Sequence, residues 1–137
     1  MPTDHITAAE FEERLAALCA SGTGSSFPRR YRDRQILFRS IVQSIKASDC
    51  SEPVLNEALQ QWLADVGAGL DMDHVTLRRY LVDEGYLSRD AKGSAYQVCL
   101  SRNRHPEFEQ TVLNIDSAEV VRAARQRAAE RKQQRTQ

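Results

Sequence analysis

The stretch DHVTLRRYLVDEGYLSRDAKGSAYQV, residues 73–98, constrains the fold of this chain more than any other part of the sequence. In its first half, Leu77 and Leu81 lie one helical turn apart, and Gly85 stands where a glycine commonly ends a helix. In its second half, short segments rich in β-forming residues lie on either side of AKG, which is typical of a β-hairpin. The stretch therefore predicts a helix that is followed directly by a hairpin.

Two amphipathic helices are predicted before this one. The segment RRYRDRQILFRSIVQSIK carries a wide apolar band, so its helix should lie at the centre of the fold. In the next segment, SEPVLNEALQQWLADVGAG, Ser51 should cap the helix and GAG should end it. The apolar face of this second helix consists of Leu55, Leu59, Trp62 and Val66. The third helix should be capped by Asp71 or Asp73.

Three helices with a hairpin behind the third have the element order of a winged helix-turn-helix. We therefore predict a mainly α fold with a small β-hairpin, in which N- and C-terminal helices are added to a winged-helix-like three-helix core. Residues 1–26 are expected to form a helical arm and linker, which packs on this domain or on a second copy of it. Residues 27–105 are expected to form the core domain, and residues 106–137 a connector and a basic helix.

The net charge of the 137 residues is zero at pH 7, but the positive charge is locally clustered. Arginines crowd RRYRDR at residues 29–34, the pair Arg78–Arg79, and the tail RAARQRAAERKQQR. In the tail, Ser117 should cap a helix that docks through Val120, Val121 and Ala124. Beyond about Ala128, too little apolar surface remains to fix this helix. We interpret this end as frayed, and a basic arm on nucleic acid is the alternative. A strongly basic footprint, the usual mark of a stand-alone DNA-binding protein, is absent.

Four segments carry a resemblance to a known family. FPRR, SEPVLNEAL, LRRYLVDEGYLSR and GSAY, which lie between Phe27 and Val98, resemble the bacterial domain-of-unknown-function 2087 (DUF2087) family. Members of that family occur alone or joined to DNA-binding regulator domains. The resemblance therefore implies a winged-helix-like fold and a role in transcriptional regulation.

The candidate site is a nucleic-acid interface made by the third helix and the hairpin. At about 100° per residue, Arg79 points away from the buried leucines, and Arg78 lies at the edge of the helix. If this helix reads DNA, Thr76 and Arg79 contact base edges or phosphates, and Arg78 clamps a phosphate. Arg89 and Lys92 at the hairpin tip would then contact the phosphate backbone of double-stranded DNA.

The same residues also have a purely structural interpretation. Arg78 and Arg79 can form surface pairs that stabilise the helix against the neighbouring SEPVLNEAL segment, and Arg79 can pair with Asp83 one turn away. Arg89 and Lys92 can belong to a solvated turn. Carboxylates at the start of the helix would face phosphate, which disfavours DNA binding. Two alternative functions follow.

The first alternative is a protein-interaction or dimerisation module, in which the N- and C-terminal helices dock on a second copy or on a regulatory protein. The second is a small-molecule sensor with a cleft beneath the hairpin, near Tyr80, Tyr86 or Tyr96. Catalytic motifs such as G-x-S-x-G, H-E-x-x-H and the P-loop do not occur, so we do not expect an enzyme.

The remaining residue classes point to no further chemistry. Neither a metal nor a cofactor is expected, and His74 is interpreted as a core residue. The three cysteines, Cys19, Cys50 and Cys99, are widely spaced and are interpreted as buried, reduced thiols. Apolar runs long enough to cross a bilayer and a secretory signal pattern are both missing, so we expect a cytoplasmic protein without a membrane partner.

Overall fold

The computed structural model describes residues 4–20, 24–92, 94–100 and 105–135, and five α-helices lie within these ranges. They are α1 (Ala8–Cys19), α2 (Tyr31–Ser44), α3 (Glu52–Ala64), α4 (His74–Asp83) and α5 (Ser117–Arg135). A 3₁₀ turn, Gln110–Asn114, precedes α5. The prediction of a mainly α fold with a small β-hairpin is confirmed.

The hairpin belongs to a three-stranded antiparallel sheet. Its strands are β2 (Asp49–Ser51), β3 (Leu87–Arg89) and β4 (Ala95–Val98), in the order β2–β4–β3. Cys50 and Arg89 both pair with Tyr96, one from each side of the central strand. Strands β3 and β4 were predicted from the sequence. Strand β2 was not, because three residues are too few to show an alternating pattern.

A second, two-stranded sheet joins the two ends of the chain. It consists of β1 (His5–Ile6) and β5 (Glu107–Phe108), which run parallel to each other. This pairing was also missed, because each strand is only two residues long and its partner lies about a hundred residues away. It places the segment before α1 beside the segment before the 3₁₀ turn.

The core is built around α2, as its wide apolar band predicted. Ile36, Leu37, Phe38, Ile41 and Val42 are all buried. Ile45 is only partly buried, because α2 ends at Ser44. Trp62 of α3 lies against α2, and its indole N–H donates to the Ser40 hydroxyl at 3.1 Å, which confirms the interpretation of Trp62 as a core residue.

Helix α1 packs on its own chain and shares the core of α2. Phe11, Leu15 and Cys19 on its apolar face are buried in the same cluster as Val121 of α5. Of the two arrangements expected for the N-terminal arm, packing on this domain is the one found. Within the expected linker, Ser25 bridges to Leu70 and is therefore tied to the fold; residues 21–23 lie outside the described ranges.

The helix ends agree with the sequence analysis at α4 and differ at α3 and α5. Asp73 caps α4 by accepting the Thr76 N–H at 2.7 Å, and Gly85, with a φ of 86°, follows its end. Ser51 precedes α3 without a side-chain capping bond. The prediction that Ser117 caps α5 is wrong: Asp116 accepts the Glu119 N–H at 3.3 Å.

Three further expectations are corrected by the structure. Cys19 and Cys50 are buried as expected, but Cys99 is partly exposed. His74 is also partly exposed, with its Nδ1 3.4 Å from the Gln60 amide, because it occupies the first turn of α4 and not the packed middle. Helix α5 continues to Arg135, beyond its last docked residues.

Burial raises the pKa of the Cys19 thiol to about 12, so this thiol is protonated at neutral pH.

Within the described residues, none of the helices combines the length and apolar character that crossing a bilayer requires.

Candidate nucleic-acid interface

Helix α4 presents one face to the core and the opposite face to solvent. Leu77 and Leu81 are fully buried, as their spacing predicted. Val75 and Arg79 are exposed, and the helical rotation places both near the middle of the outer face. Arg79 therefore occupies the outward position that the helical wheel assigned to it.

The guanidinium of Arg78 is turned toward neighbouring elements. It donates to Asn56 Oδ1 at 2.5 Å and lies 3.1 Å from Glu52 Oε1, both on α3. It also lies 5.9 Å from the ring centroid of Tyr96 on β4. With its side chain only 18% exposed, Arg78 joins α4 to α3 and to the sheet. The surface pairing with the SEPVLNEAL segment that the structural interpretation required is therefore found for Arg78, with Asn56 and Glu52 as its partners.

Arg79 does not share these contacts. The ion pairs found among the described residues do not include the expected one between Arg79 and Asp83. The guanidinium at the centre of the outer face is thus exposed to solvent.

The hairpin brings a second arginine to the ring that Arg78 contacts. The Arg89 guanidinium also lies 5.9 Å from the Tyr96 centroid, a distance typical of cation–π contacts. Two of the candidate residues, one on α4 and one on β3, thus meet at one aromatic side chain. The Tyr96 ring thus links α4 to the hairpin.

Lys92 lies at the exposed turn between β3 and β4. The turn is stabilised by Asp90, whose carboxylate accepts the Ser94 N–H at 2.8 Å and the Ser94 hydroxyl at 3.3 Å. Gly93, which the sequence analysis placed in this turn, lies outside the described residues. An ammonium group at this tip is available to a partner in solution.

Thr76 lies at the other edge of α4, away from the hairpin. It lines a cavity of about 740 Å³ together with Arg29, Arg34 and Tyr80. The candidate residues therefore divide between two regions: Arg78 and Arg89 at Tyr96, with Lys92 on the same hairpin, and Thr76 on the cavity side. Arg79 lies on the helix surface between these regions.

Arg34 is a residue that the sequence analysis did not single out. Its guanidinium carbon lies 5.2 Å from the Phe27 ring centroid, and it has similar contacts with two other rings. It also donates to the Pro28 carbonyl at 3.2 Å. The cluster RRYRDR was the available signal, and Phe38 lies one helical turn after Arg34, but Tyr80 belongs to a different helix and could not be identified from spacing.

Carboxylates interrupt the positive charge along α4. Asp71, Asp73 and Asp83 are all exposed. The Thr76 backbone N–H holds the pKa of the Asp73 carboxyl below its usual value, so this group is negatively charged at neutral pH. The interface thus has a mixed charge, with arginines at its middle and edges and aspartates at both ends of the helix.

Two of the tyrosines proposed for a ligand cleft are buried in the core. Tyr86 donates its hydroxyl to Gln35 Oε1 at 2.6 Å, and its ring stacks on His105 with centroids 3.8 Å apart. Burial raises the pKa of Tyr86 far above its usual range. Tyr96 is also buried, so among the three only Tyr80 lines one of the described cavities.

No three His, Cys, Asp or Glu residues of the described ranges are grouped to hold a metal ion.

A family model described as an uncharacterized protein conserved in bacteria (DUF2087) matches residues 25–98, which is more than half of the 137 residues. The chain belongs to the DUF2087 family. The DUF2087 segment comprises α2, α3, α4 and the three-stranded sheet, so it includes every residue of the candidate interface. Comparisons with curated proteins and with solved structures find no match.

Proposed function

We propose that this DUF2087 chain is a winged-helix module that binds double-stranded DNA through α4 and the β3–β4 hairpin, and that it acts in transcriptional regulation. The observation that carries the proposal is the order of the elements. Helices and strands follow one another as α2, β2, α3, α4, β3, β4, and the strands are arranged β2–β4–β3. A winged helix has this order, with α4 in the place of the recognition helix.

The outer face of α4 supports the same assignment. A recognition helix needs an exposed face with side chains that reach phosphates or base edges, and Arg79 satisfies this requirement. Arg89 and Lys92 would follow the phosphate backbone beside the helix. Arg78 contributes by holding α4 and the hairpin together through Tyr96.

The mixed charge predicts the character of the binding. Three exposed aspartates near α4 oppose the approach of phosphates, and the chain has no net charge to attract DNA from a distance. We therefore expect weak binding to duplexes of arbitrary sequence, with few phosphate contacts and a shallow salt dependence.

Titration of a fluorescently labelled duplex of mixed sequence, followed by anisotropy over a series of salt concentrations, tests the proposal. The expected result is binding at low salt that weakens as salt rises. Lys92→Ala should reduce the slope of log K against log salt by about 1. Lys46→Ala removes another exposed lysine, from the α2–β2 connection, and should leave the slope unchanged. Absence of binding at low salt, or binding that salt does not affect, contradicts the proposal.

The alternative, a protein-interaction or dimerisation module, has less support from the packing. A module of this kind needs the apolar faces of the N- and C-terminal helices to be free to dock on a partner. Those faces are buried against each other within one chain, as Leu15 and Val121 show. Light scattering on the intact chain separates the two functions: a stable dimer without DNA would favour the alternative, and a monomer would favour the DNA-binding module.

A further inference from the structure

The cavity on the Thr76 side of α4 is a groove that opens to solvent and has charged residues of both signs in its lining. Its volume of about 740 Å³ is within the usual range for ligand pockets, about 300–1,000 Å³. One side is formed by the segment before α2 and the other by the segment before α4. These segments are fixed to each other by backbone hydrogen bonds, from Ser25 to Gly69 at 2.9 Å and from Asp71 to Ser25 at 2.8 Å. The two segments that line the cavity are therefore joined by a short parallel bridge.

A preorganised cation lies on one wall. The Arg34 guanidinium is held among the rings of Phe27, Phe38 and Tyr80, with its carbon 5.1 to 5.6 Å from their centroids. Its ion pair with Glu84 is long, at 3.9 Å. A guanidinium has five N–H donors in a planar fork that matches a carboxylate. Arg29, which is exposed, adds a second guanidinium to the lining.

Two carboxylates lie on the lining that comes from the other segment. Asp73 caps α4 by accepting the Thr76 N–H through Oδ1, and its carboxylate also interacts with the Thr76 side chain. Asp71 is exposed at the same edge. A phosphate or a polyanion would meet these aspartates, and a simple cation would meet the arginines. A ligand that carries one charge of each sign matches both walls.

Apolar groups complete the lining. Phe27 and Tyr80 are in edge-to-face contact, with ring centroids 5.7 Å apart, and Leu70 and Met72 add aliphatic surface. This surface suits an apolar or aromatic side chain. Tyr80 was among the residues that the sequence analysis offered for a ligand, although the cavity lies beside the first turn of α4 and not beneath the hairpin.

We infer that this cavity binds a free α-amino acid with an apolar or aromatic side chain. The ligand's carboxylate lies on Arg34 and Arg29, its ammonium group on Asp71 and Asp73, and its side chain on Phe27 and Tyr80. This inference does not depend on DNA binding, because the ligand site is complete without a nucleic acid.

Three matched probes test the inference on the full chain without DNA. L-Phenylalanine carries both charges, phenethylamine lacks the carboxylate, and 3-phenylpropanoate lacks the ammonium group. Isothermal titration calorimetry should give saturable binding for L-phenylalanine, and affinities at least about tenfold lower for the other two, since each loses a charge-assisted contact. Binding of either half-ligand as tight as that of L-phenylalanine, or failure of every standard amino acid at millimolar concentration, overturns the inference.

Two exposed substitutions locate the site without risk to the fold. Arg29→Ala and Asp71→Asn should each weaken L-phenylalanine binding by about fivefold to tenfold, because each removes one partner of a ligand charge. Lys46→Ala and Glu57→Gln alter exposed charges outside the cavity and serve as matched controls. Equal weakening by the control variants, or no effect of either cavity variant, overturns the assignment. DNA binding is measured separately, so a negative result here leaves the DNA-binding proposal unaffected.

Discussion

At the scale of single residues, the two adjacent arginines of α4 have different surroundings. Arg78 is tied to Glu52 and Asn56 of α3 and lies at the Tyr96 ring. Arg79 is exposed at the centre of the outer face. A shift of one residue along a helix rotates a side chain by about 100°, which is enough to separate a structural role from a binding role.

This difference predicts unequal effects on stability. Arg78→Ala should lower the free energy of unfolding by about 1 to 2 kcal/mol, because a partly buried charged hydrogen bond and an ion pair are lost. Arg79→Ala should change it by less than about 0.5 kcal/mol, as is usual for an exposed position. Urea denaturation of both variants measures the two values. Equal losses would show that our assignment of the two side chains is incorrect.

The orientation of these two side chains could be predicted from the sequence, but their contact partners could not. The helical rotation gave the outward position of Arg79 and the edge position of Arg78, because neighbouring residues fix the period of a helix. The contact between Arg78 and Tyr96 could not be derived, since the ring belongs to a strand at a distance set by tertiary packing. The contact between Arg34 and Tyr80 could not be derived for the same reason.

At the scale of elements, α1 is an integral part of the core. Its apolar face is buried against α2 and α5, and β1 ties the segment before it to β5. The sequence predicted a helical arm in this N-terminal region. Whether the helix packs on this domain or on a second copy could not be predicted from the sequence. An amphipathic pattern shows that one face of a helix is buried, but it does not show what covers that face.

The burial of α1 makes Leu15 a sensitive position. Leu15→Ala should lower the free energy of unfolding by about 2 to 5 kcal/mol, because it opens a cavity at the contact of α1 with the core. Leu18→Ala, at a partly buried position on the same helix, is the matched control and should cost clearly less. Thermal or urea denaturation compares them. A small loss for Leu15→Ala would mean that α1 is not packed in the core.

A charged contact that holds α1 on α2 predicts a pH dependence. Arg32 forms two hydrogen bonds with Glu10, at 2.7 and 2.9 Å, and these bonds lower the pKa of Glu10 from its usual value of 4.5. Because the pKa is lower in the folded chain than in the unfolded chain, the contact contributes fully above pH 4.5. Its contribution is lost as the pH falls through the lower, folded value.

We therefore expect wild type to be more stable than Glu10→Gln at neutral pH, and this advantage should shrink as the solution is acidified below pH 4.5. Urea denaturation over a pH series measures the difference. Glu12→Gln removes an exposed carboxylate from the same helix and is the control. An advantage that grows on acidification would have the wrong sign for a lowered pKa.

At the scale of the whole molecule, the fold class could be predicted more fully than the interface. The order of three helices and a hairpin follows from local patterns, namely leucine spacing, Gly85 and the hairpin turn. Strand β2 and the β1–β5 pair could not be predicted, because they are very short and are stabilised by distant partners. The positions of the charged side chains at the interface depend on tertiary contacts between distant segments. The position of Thr76 beside a cavity depends on such contacts as well.

The most direct test of the central claim is a DNA-binding measurement on Arg79→Ala over a salt series, with Arg122→Ala as a control at an exposed arginine of α5. The account predicts that Arg79→Ala weakens binding to a mixed-sequence duplex by about tenfold at low salt and reduces the salt slope by about 1. Arg122→Ala should bind as wild type does. Unchanged affinity and slope for Arg79→Ala would contradict the assignment of α4 as the DNA-binding helix.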